Sequence, residues 1–295
     1  MTSVCRNHEV PRSESSVPPE YKEAQSFNTC WAMPNGRSEP SRDTEKPAAI
    51  SLKEKGAEVV KADIQSYEEL LAAFTECHAV FAVTNFWEHQ KKEREVGDGK
   101  RMADAAKAAG VQHFIWSSVD SVDKISNGKI TKVQHFDGKY EVEEYIRSIG
   151  LPASFVLCAA YFDVLAPKDL PNGVTAISLP VPSDTKISAI NTAADYGKFV
   201  RAALDMGQSA IGKRILACTD ELTPAEMVEA WNLKGKKVVH VQPPKEVVLE
   251  RMGEELWEMM RYFAEYGYYG GADVKPSQEL VKGKLETYKE WVEKQ

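Results

Sequence analysis

Between residues 57 and 157 short apolar runs alternate with stretches of helical period, and this alternation restricts the possible folds more than any other feature of the chain. Residues 57–62 (AEVVKA) read as a strand following Gly56. Ser66 and Glu69 are spaced as a capping box, in which the serine oxygen and the carboxylate satisfy early helix donors, so a helix is expected to about Glu76. Residues 78–84 (HAVFAVT) are mostly apolar, as a strand covered on both faces requires. An alanine-rich helix then ends at Gly110, the natural left-handed residue after a helix. Residues 111–117 (VQHFIWS) form the next expected strand. A helix from about Phe136 stops near Gly150-Leu151-Pro152, where glycine caps and proline cannot continue, and residues 153–157 return to strand. Such alternation predicts an α/β protein with a parallel sheet and helices on both faces.

The pattern differs at both ends of this region. Residues 1–41 carry Pro11, Pro18, Pro19, Pro34 and Pro40, a single glycine (Gly36) and no apolar run of strand length. They read as an irregular or disordered arm, since proline suits neither a central strand nor a long helix. Residues 161–189 hold Pro167, Pro171, Pro180 and Pro182 and suit loops over a ligand better than core structure. Helical period returns at 191–206, a strand is expected at 213–218, and Thr223-Pro224-Ala225-Glu226 combines a capping box with proline at the first helical position. A strand at 236–242 precedes a helix over 246–268, whose Val247, Val248, Met252, Leu256, Met259, Met260 and Phe263 read as a core stripe.

Composition excludes several classes of function. A net charge of −7 with no Lys/Arg-rich run repels nucleic-acid phosphates, so no direct nucleic-acid partner is expected. The five cysteines are odd in number and scattered without a CxxC pair, indicating neither a zinc site nor a disulfide framework. No metal site follows from the histidines, HExxH is absent, and there is no nucleophile elbow or Walker loop. With no signal-peptide core and no apolar run near the ~18 residues of a membrane span, no membrane partner is expected either. The expected location is cytoplasmic, with a nuclear share allowed.

Several separate strings in one order carry a family resemblance: KGAEVVKADI (55–64), AVFAVTNFWE (79–88), AAKAAGVQHFIWSS (105–118), HFDGKYEVEEYIRSIGLPASFVL (135–157), AEYGYYGGADVKPS (264–277) and LETYKEWVEKQ (285–295). From about residue 42 to 295 the chain resembles the NmrA-like family of atypical short-chain dehydrogenase/reductase proteins. The resemblance implies a Rossmann-type parallel sheet, a smaller C-terminal α+β lobe and a bound NADP(H). It divides the chain into the arm at 1–41, an incomplete dinucleotide-binding region at 42–160, and at 161–295 a mixed region whose segments partly return to the sheet. Such a sheet normally opens with an apolar strand, a GxxGxxG or GxGxxG turn and a helix N-terminus that stabilises the pyrophosphate. The arm has the length of that unit without its chemistry, so the first strand and glycine loop are expected to be absent and NADP(H) binding to be weak.

The resemblance also implies site residues. Thr84, Asn85 and Phe86 follow a predicted strand where a cofactor lies in open parallel sheets; a hydrogen-bonded loop with a packed aromatic is the alternative. Asp63 corresponds to a residue beside the adenine, or is a carboxylate at a helix start. Arg42 falls where an arginine contacts the 2′-phosphate through paired donors, which would select NADP over NAD. Tyr161 and Phe162 match a segment near the nicotinamide, where packing would equally account for aromatics.

The superfamily's enzymes use a Tyr-x-x-x-Lys pair, in which lysine holds the nicotinamide ribose and lowers the tyrosine pKa while tyrosine moves the proton. Here His135-Phe136-Asp137-Gly138-Lys139 keeps the lysine and places histidine at the tyrosine position. Lys139 is expected to contact the ribose, and no catalytic residue is assigned. Ser117 and Ser118 end a strand where the superfamily has its serine, and are expected to be strand-end hydrogen-bonding groups. The expected function is an NADP(H)-binding redox sensor or regulator that acts on protein partners such as transcription regulators, without dehydrogenase activity. The alternatives are an NAD(P)H-dependent reductase of the isoflavone- or quinone-reductase type using Lys139, and a nucleotide-free interaction module.

Overall fold

The computed structural model describes residues 2–6, 37–41, 47–54, 58–171 and 173–295. These residues divide into two compact units. One holds the described residues up to Ser118 together with Gly138–Val156 and Val200–Ile215; the other holds Val119–Asp137, Leu157–Phe199 and Leu216–Gln295.

The strands in chain order are β1 (Thr2–Arg6), β2 (Arg37–Ser41), β3 (Glu58–Lys61), β4 (Cys77–Ala82), β5 (His113–Ser118), β6 (Ala153–Cys158), β7 (Ala160–Tyr161), β8 (Lys168–Asp169), β9 (Thr175–Ser178), β10 (Ile187–Ile190), β11 (Arg214–Ala217), β12 (Asp220–Leu222) and β13 (Val238–Val241). The helices are α1 (Pro47–Glu54), α2 (Tyr67–Phe74), α3 (Lys92–Ala108), α4 (Val122–Ile125), α5 (Gln134–Ser148), α6 (Gly197–Met206), α7 (Pro224–Leu233), α8 (Lys245–Tyr266), α9 (Lys275–Gln278) and α10 (Tyr288–Glu293). A seven-stranded sheet runs in the order β11-β6-β5-β4-β1-β2-β3. The pairs β4–β5 and β2–β3 are parallel. Bonds from Phe155 N to Lys213 O and from Ala159 N to Ala217 O advance together along β6 and β11, the parallel pattern. All residues of β5 and β6 are buried, as helices on both faces demand.

The arm expected to leave the sheet without its first strand contributes two strands. β1 lies between β4 and β2, inside the sheet, and is antiparallel to both. The reason is that a strand flanked on both sides finds backbone partners on each side, whatever its apolar pattern, and TSVCR includes the β-branched Thr2 and Val4. Its direction preserves one part of the expectation. Thr2 pairs with Ala82 and Arg6 with Cys77, so the end of β1 lies away from the carboxyl end of β4. The chain that follows β1 therefore leaves from the opposite edge of the sheet.

Two close approaches set the position of α5 on this sheet. A Cβ on Gly99 of α3 would stand 2.5 and 2.7 Å from the Val142 methyls, and one on Gly138 of α5 would stand 3.3 Å from Glu95 Cγ. Glycine at these points lets α3 and α5 pack at short range.

The second unit contains two three-stranded sheets, β12-β10-β7 and β13-β9-β8. Residues 161–189, expected as loops, supply strands to both. The prolines interrupt the segment into short strands rather than abolishing them, and Leu179, Val181, Ile187 and Ala189 are buried. The capping box at Thr223 is formed, with Glu226 at its third position. The long helix is broken at Gly253, where φ is 82° and ψ 172°. The stripe is split accordingly: Val248, Met260 and Phe263 are buried, whereas Met252 is 46% exposed. A π-turn over Thr192–Tyr196 opens α6 and turns Asp195 inward, where it accepts from Lys198 Nζ at 2.6 Å and Glu286 N at 2.8 Å. Burial raises the Asp195 carboxyl above its usual range, against the lowering pull of Lys198. Tyr288, at the start of α10, accepts from Trp231 Nε1 and donates to Leu165 O, tying the last helix to this unit.

Candidate functional site

At the carboxyl end of β4 the chain bends at Thr84, and α3 begins a few residues later. Lys139 reaches this bend from α5. Its ammonium donates to the Thr84 carbonyl at 2.9 Å and to Thr84 Oγ1 at 2.9 Å, and it pairs with Glu95 Oε1 at 2.8 Å. Thr84 Oγ1 in turn donates to Glu95 Oε1 at 2.5 Å. The Lys139 side chain is 15% exposed and that of Glu95 is fully buried. The lysine backbone is fixed too: Trp116 Nε1 donates to Lys139 O at 3.0 Å, and the ammonium lies 5.6 Å from the Trp116 ring centre. Burial pushes the Glu95 carboxyl up, but the Lys139 charge, its hydrogen bond, Thr84 and His89 together hold it below the ordinary value. The arrangement is a desolvated ion pair that presents an amine at the carboxyl ends of parallel strands, where ligands of open α/β sheets bind.

The histidine at the tyrosine position belongs to the second unit. One carboxylate oxygen, Glu255 Oε1 of α8, lies 2.5 Å from His135 Nδ1 and also accepts the His135 backbone N–H at 2.8 Å. This ties the imidazole to the start of its own helix. Ser118 donates to Glu143 Oε2 at 2.8 Å, and Glu143 also pairs with Arg147 and Arg214. The strand-end serine thus belongs to a charge network centred on the buried Glu143.

The other expected residues are placed as follows. Asn85 caps a short 3-10 turn over Phe86–Glu88 by accepting from Trp87 N at 3.3 Å. Phe86 is 2% exposed and packs edge-on to Trp87 and His89, so the outward-facing aromatic here is Trp87 at 44% exposure. Asp63 Oδ1 accepts from Gln65 N at 3.0 Å, while its own N–H donates to Glu69 Oε2, at the start of α2. Arg42 lies outside the described residues. Tyr161 and Phe162 lie in the second unit. Phe162 is buried against Tyr288 and Trp291. Desolvation, with Cys158 and Asp163 beside it, pushes the Tyr161 phenol well above its ordinary value. Of the expected set, Thr84 and Lys139 are in direct contact.

Three residues of this region went unread in the sequence. Glu95 is the central acceptor, Gly138 gives it room, and Glu255 holds His135. The signal for Glu95 was present: Glu95, Gly99, Met102 and Ala106 lie at helical spacing on one face of α3, and all are buried. A carboxylate on such a face needs a cationic partner. Nothing local announces Glu255, which is far along the chain from His135. Among the described residues no group of His, Cys, Asp and Glu is arranged to hold a metal, and no helix is long and apolar enough to cross a membrane.

For a dinucleotide the fit is uneven. A buried, charge-paired lysine at the strand ends suits a ribose hydroxyl. The reversed β1 supplies no strand-to-helix turn for the pyrophosphate at that edge. Fold and site together define a Rossmann-type α/β protein with a lysine-centred strand-end site and no Tyr-x-x-x-Lys pair. The chain matches the NmrA-like family over residues 41–293 and belongs to that family. An NmrA-like family domain-containing protein of Dictyostelium discoideum is 30% identical over 268 residues, covering 86% of this chain and 87% of that protein. The fold is shared with NmrA, a negative transcriptional regulator solved in complex with NADP, at a TM-score of 0.73 and 22% identity over 86% of each chain. It is shared also with the Citrobacter sp. triphenylmethane reductase complexed with NADP(H), at a TM-score of 0.71 and 20% identity over 87% of this chain and 89% of that one.

Proposed function

We propose that this protein is a non-catalytic NADP(H)-binding regulator whose association with protein partners responds to the nucleotide. The observation that carries this reading is how the two positions of the motif are held: Lys139 is fixed at Thr84 by Glu95, while His135, at the tyrosine position, is bonded to Glu255. A lysine positioned for a ribose hydroxyl supports binding. With a histidine held by Glu255 at the tyrosine position, no phenol stands beside Lys139 to relay a proton. When bound, NADPH would supply hydride chemistry. The residues here would instead hold the nucleotide, with Lys139 on the nicotinamide ribose and Arg42, after the end of β2, on the 2′-phosphate. Asp63, Thr84 and Asn85 would border the adenine and the strand edge. Phe86, buried behind Asn85, would support the strand-end loop by packing, and Tyr161 and Phe162 would serve the packing of their own unit.

The reversed β1 lacks the usual pyrophosphate anchor at that edge, so affinity should be weak, on the order of micromolar or poorer. Titration calorimetry with NADPH checks this, and submicromolar affinity would contradict the weakened site. The catalytic alternative is followed by NADPH absorbance with quinone and aldehyde panels. Steady consumption that is lost in Lys139→Ala would replace the regulator by a reductase. The regulatory role is tested by recovery of bound partners at different NADP/NADPH ratios, and indifference to the nucleotide would overturn it.

A further inference from the structure

We propose that Glu95 is the positioning residue of the site: it fixes the Lys139 ammonium at Thr84 and leaves one of its donors exchangeable for a ribose hydroxyl. This rests on the nucleotide reading above and deepens it by assigning Glu95 a part in ligand affinity. An ammonium has three donors, and here they go to the Thr84 carbonyl, Thr84 Oγ1 and Glu95 Oε1. The three acceptors differ in how readily they can be replaced. The carbonyl belongs to the strand end, and the carboxylate is a buried charge that would be left without its counter-ion. Thr84 Oγ1 is a neutral hydroxyl whose proton already goes to Glu95 Oε1, so its bond to Glu95 survives if the lysine donor turns away. A ribose hydroxyl therefore replaces Thr84 Oγ1 at little electrostatic cost, while Glu95 holds the ammonium in place.

Glu95 is itself fixed for this task. Its Oε1 accepts from both Lys139 and Thr84, and its Oε2 is buried without a hydrogen-bond partner. His89 Nε2 faces Oε2 at 3.7 Å, beyond hydrogen-bond range. His89 Nδ1 accepts from Lys91 N at 3.1 Å, so the proton of the ring is on the nitrogen that faces Glu95. The absence of a Cβ at Gly138 lets α5 pass Glu95 Cγ closely enough for the next residue, Lys139, to meet the carboxylate. A carboxylate so deeply desolvated yet held below its ordinary pKa reflects how fully the lysine compensates it.

The test compares Glu95→Gln and Glu95→Asp with the unaltered protein, titrating NADPH and 2′,5′-ADP, which lacks the nicotinamide ribose. With folding checked by thermal melts, Glu95→Gln should weaken NADPH about tenfold and leave 2′,5′-ADP unchanged, since a charge-assisted hydrogen bond is worth roughly that factor. Glu95→Asp should restore part of the loss. Equal weakening of both ligands, or of neither, in a folded Glu95→Gln protein would overturn the proposal. If the unaltered protein binds neither ligand, the nucleotide reading fails and the coupling is still measurable. Carbon-13 NMR titration of the Glu95 carboxyl should show its pKa raised in Lys139→Met relative to the unaltered protein; an unchanged titration would sink the proposal.

Discussion

His113 and Lys139 show how differently two polar residues at a sheet can be used. His113 is 4% exposed on β5, with Nε2 2.8 Å from Ser154 Oγ. Burial, with the His78 charge nearby, pulls its pKa down from 6.5 to about 4. Because the folded value is depressed, the unfolded chain binds the extra proton first as pH falls. Stability is therefore full above pH 6.5 and declines between 6.5 and about 4. The loss at the acid end amounts to about 3 kcal/mol. His113→Gln should flatten that slope, as read from urea unfolding midpoints across the range, and an unchanged slope would mean that His113 does not carry it. Lys139 was legible through the family resemblance, at the lysine position of the Tyr-x-x-x-Lys pattern. Its partner Glu95 was legible only as a charge on a buried helical face, because periodicity reports burial and not the identity of the partner.

At the scale of elements, α8 and β1 are where pattern and outcome diverge. The apolar stripe of α8 continues through Gly253, yet the backbone there has φ 82° and ψ 172°, a region open essentially to glycine alone. An ordinary glycine-to-alanine change inside a helix gains up to about 1 kcal/mol. Gly253→Ala should instead cost about 1–3 kcal/mol, visible as a lowered Tm in calorimetry. A rise in Tm would show that the helix prefers to be straight. β1 was unreadable for the opposite reason: its five residues carry no apolar pattern, and only its neighbours β4 and β2 make it a strand. The helices α2 and α7 were readable because Ser66 and Thr223 cap them through bonds to Glu69 and Glu226 a single turn away.

For the whole molecule, a net charge of −7 sets the long-range field. Counter-ion release, the main source of affinity for a duplex, needs clustered cations, and the chain has no Lys/Arg-rich run. Fluorescence anisotropy with a labelled DNA duplex should show no saturable binding at physiological salt. Saturable, salt-sensitive binding would redirect the regulatory reading from protein partners to DNA. The same fold carries a negative transcriptional regulator and a dye reductase, so architecture alone does not choose between those roles. The choice proposed here rests on Glu95 and Glu255, which divide lysine and histidine between two structural tasks.

The sequence by itself determined the α/β class, the family, most helix boundaries and the presence of a lysine without its tyrosine. All of these depend on spacing within a few turns or on short ordered strings, which the chain carries regardless of how it packs. The tertiary structure decided the direction of β1, the short strands between Tyr161 and Ile190, the break in α8, and the partners of Lys139 and His135. Each of those depends on groups far apart in the chain: hydrogen bonds across a sheet, close approach at Gly138, and carboxylates brought to cations by packing. A buried charge must find its counter-charge wherever the fold places one, and no local pattern records that position.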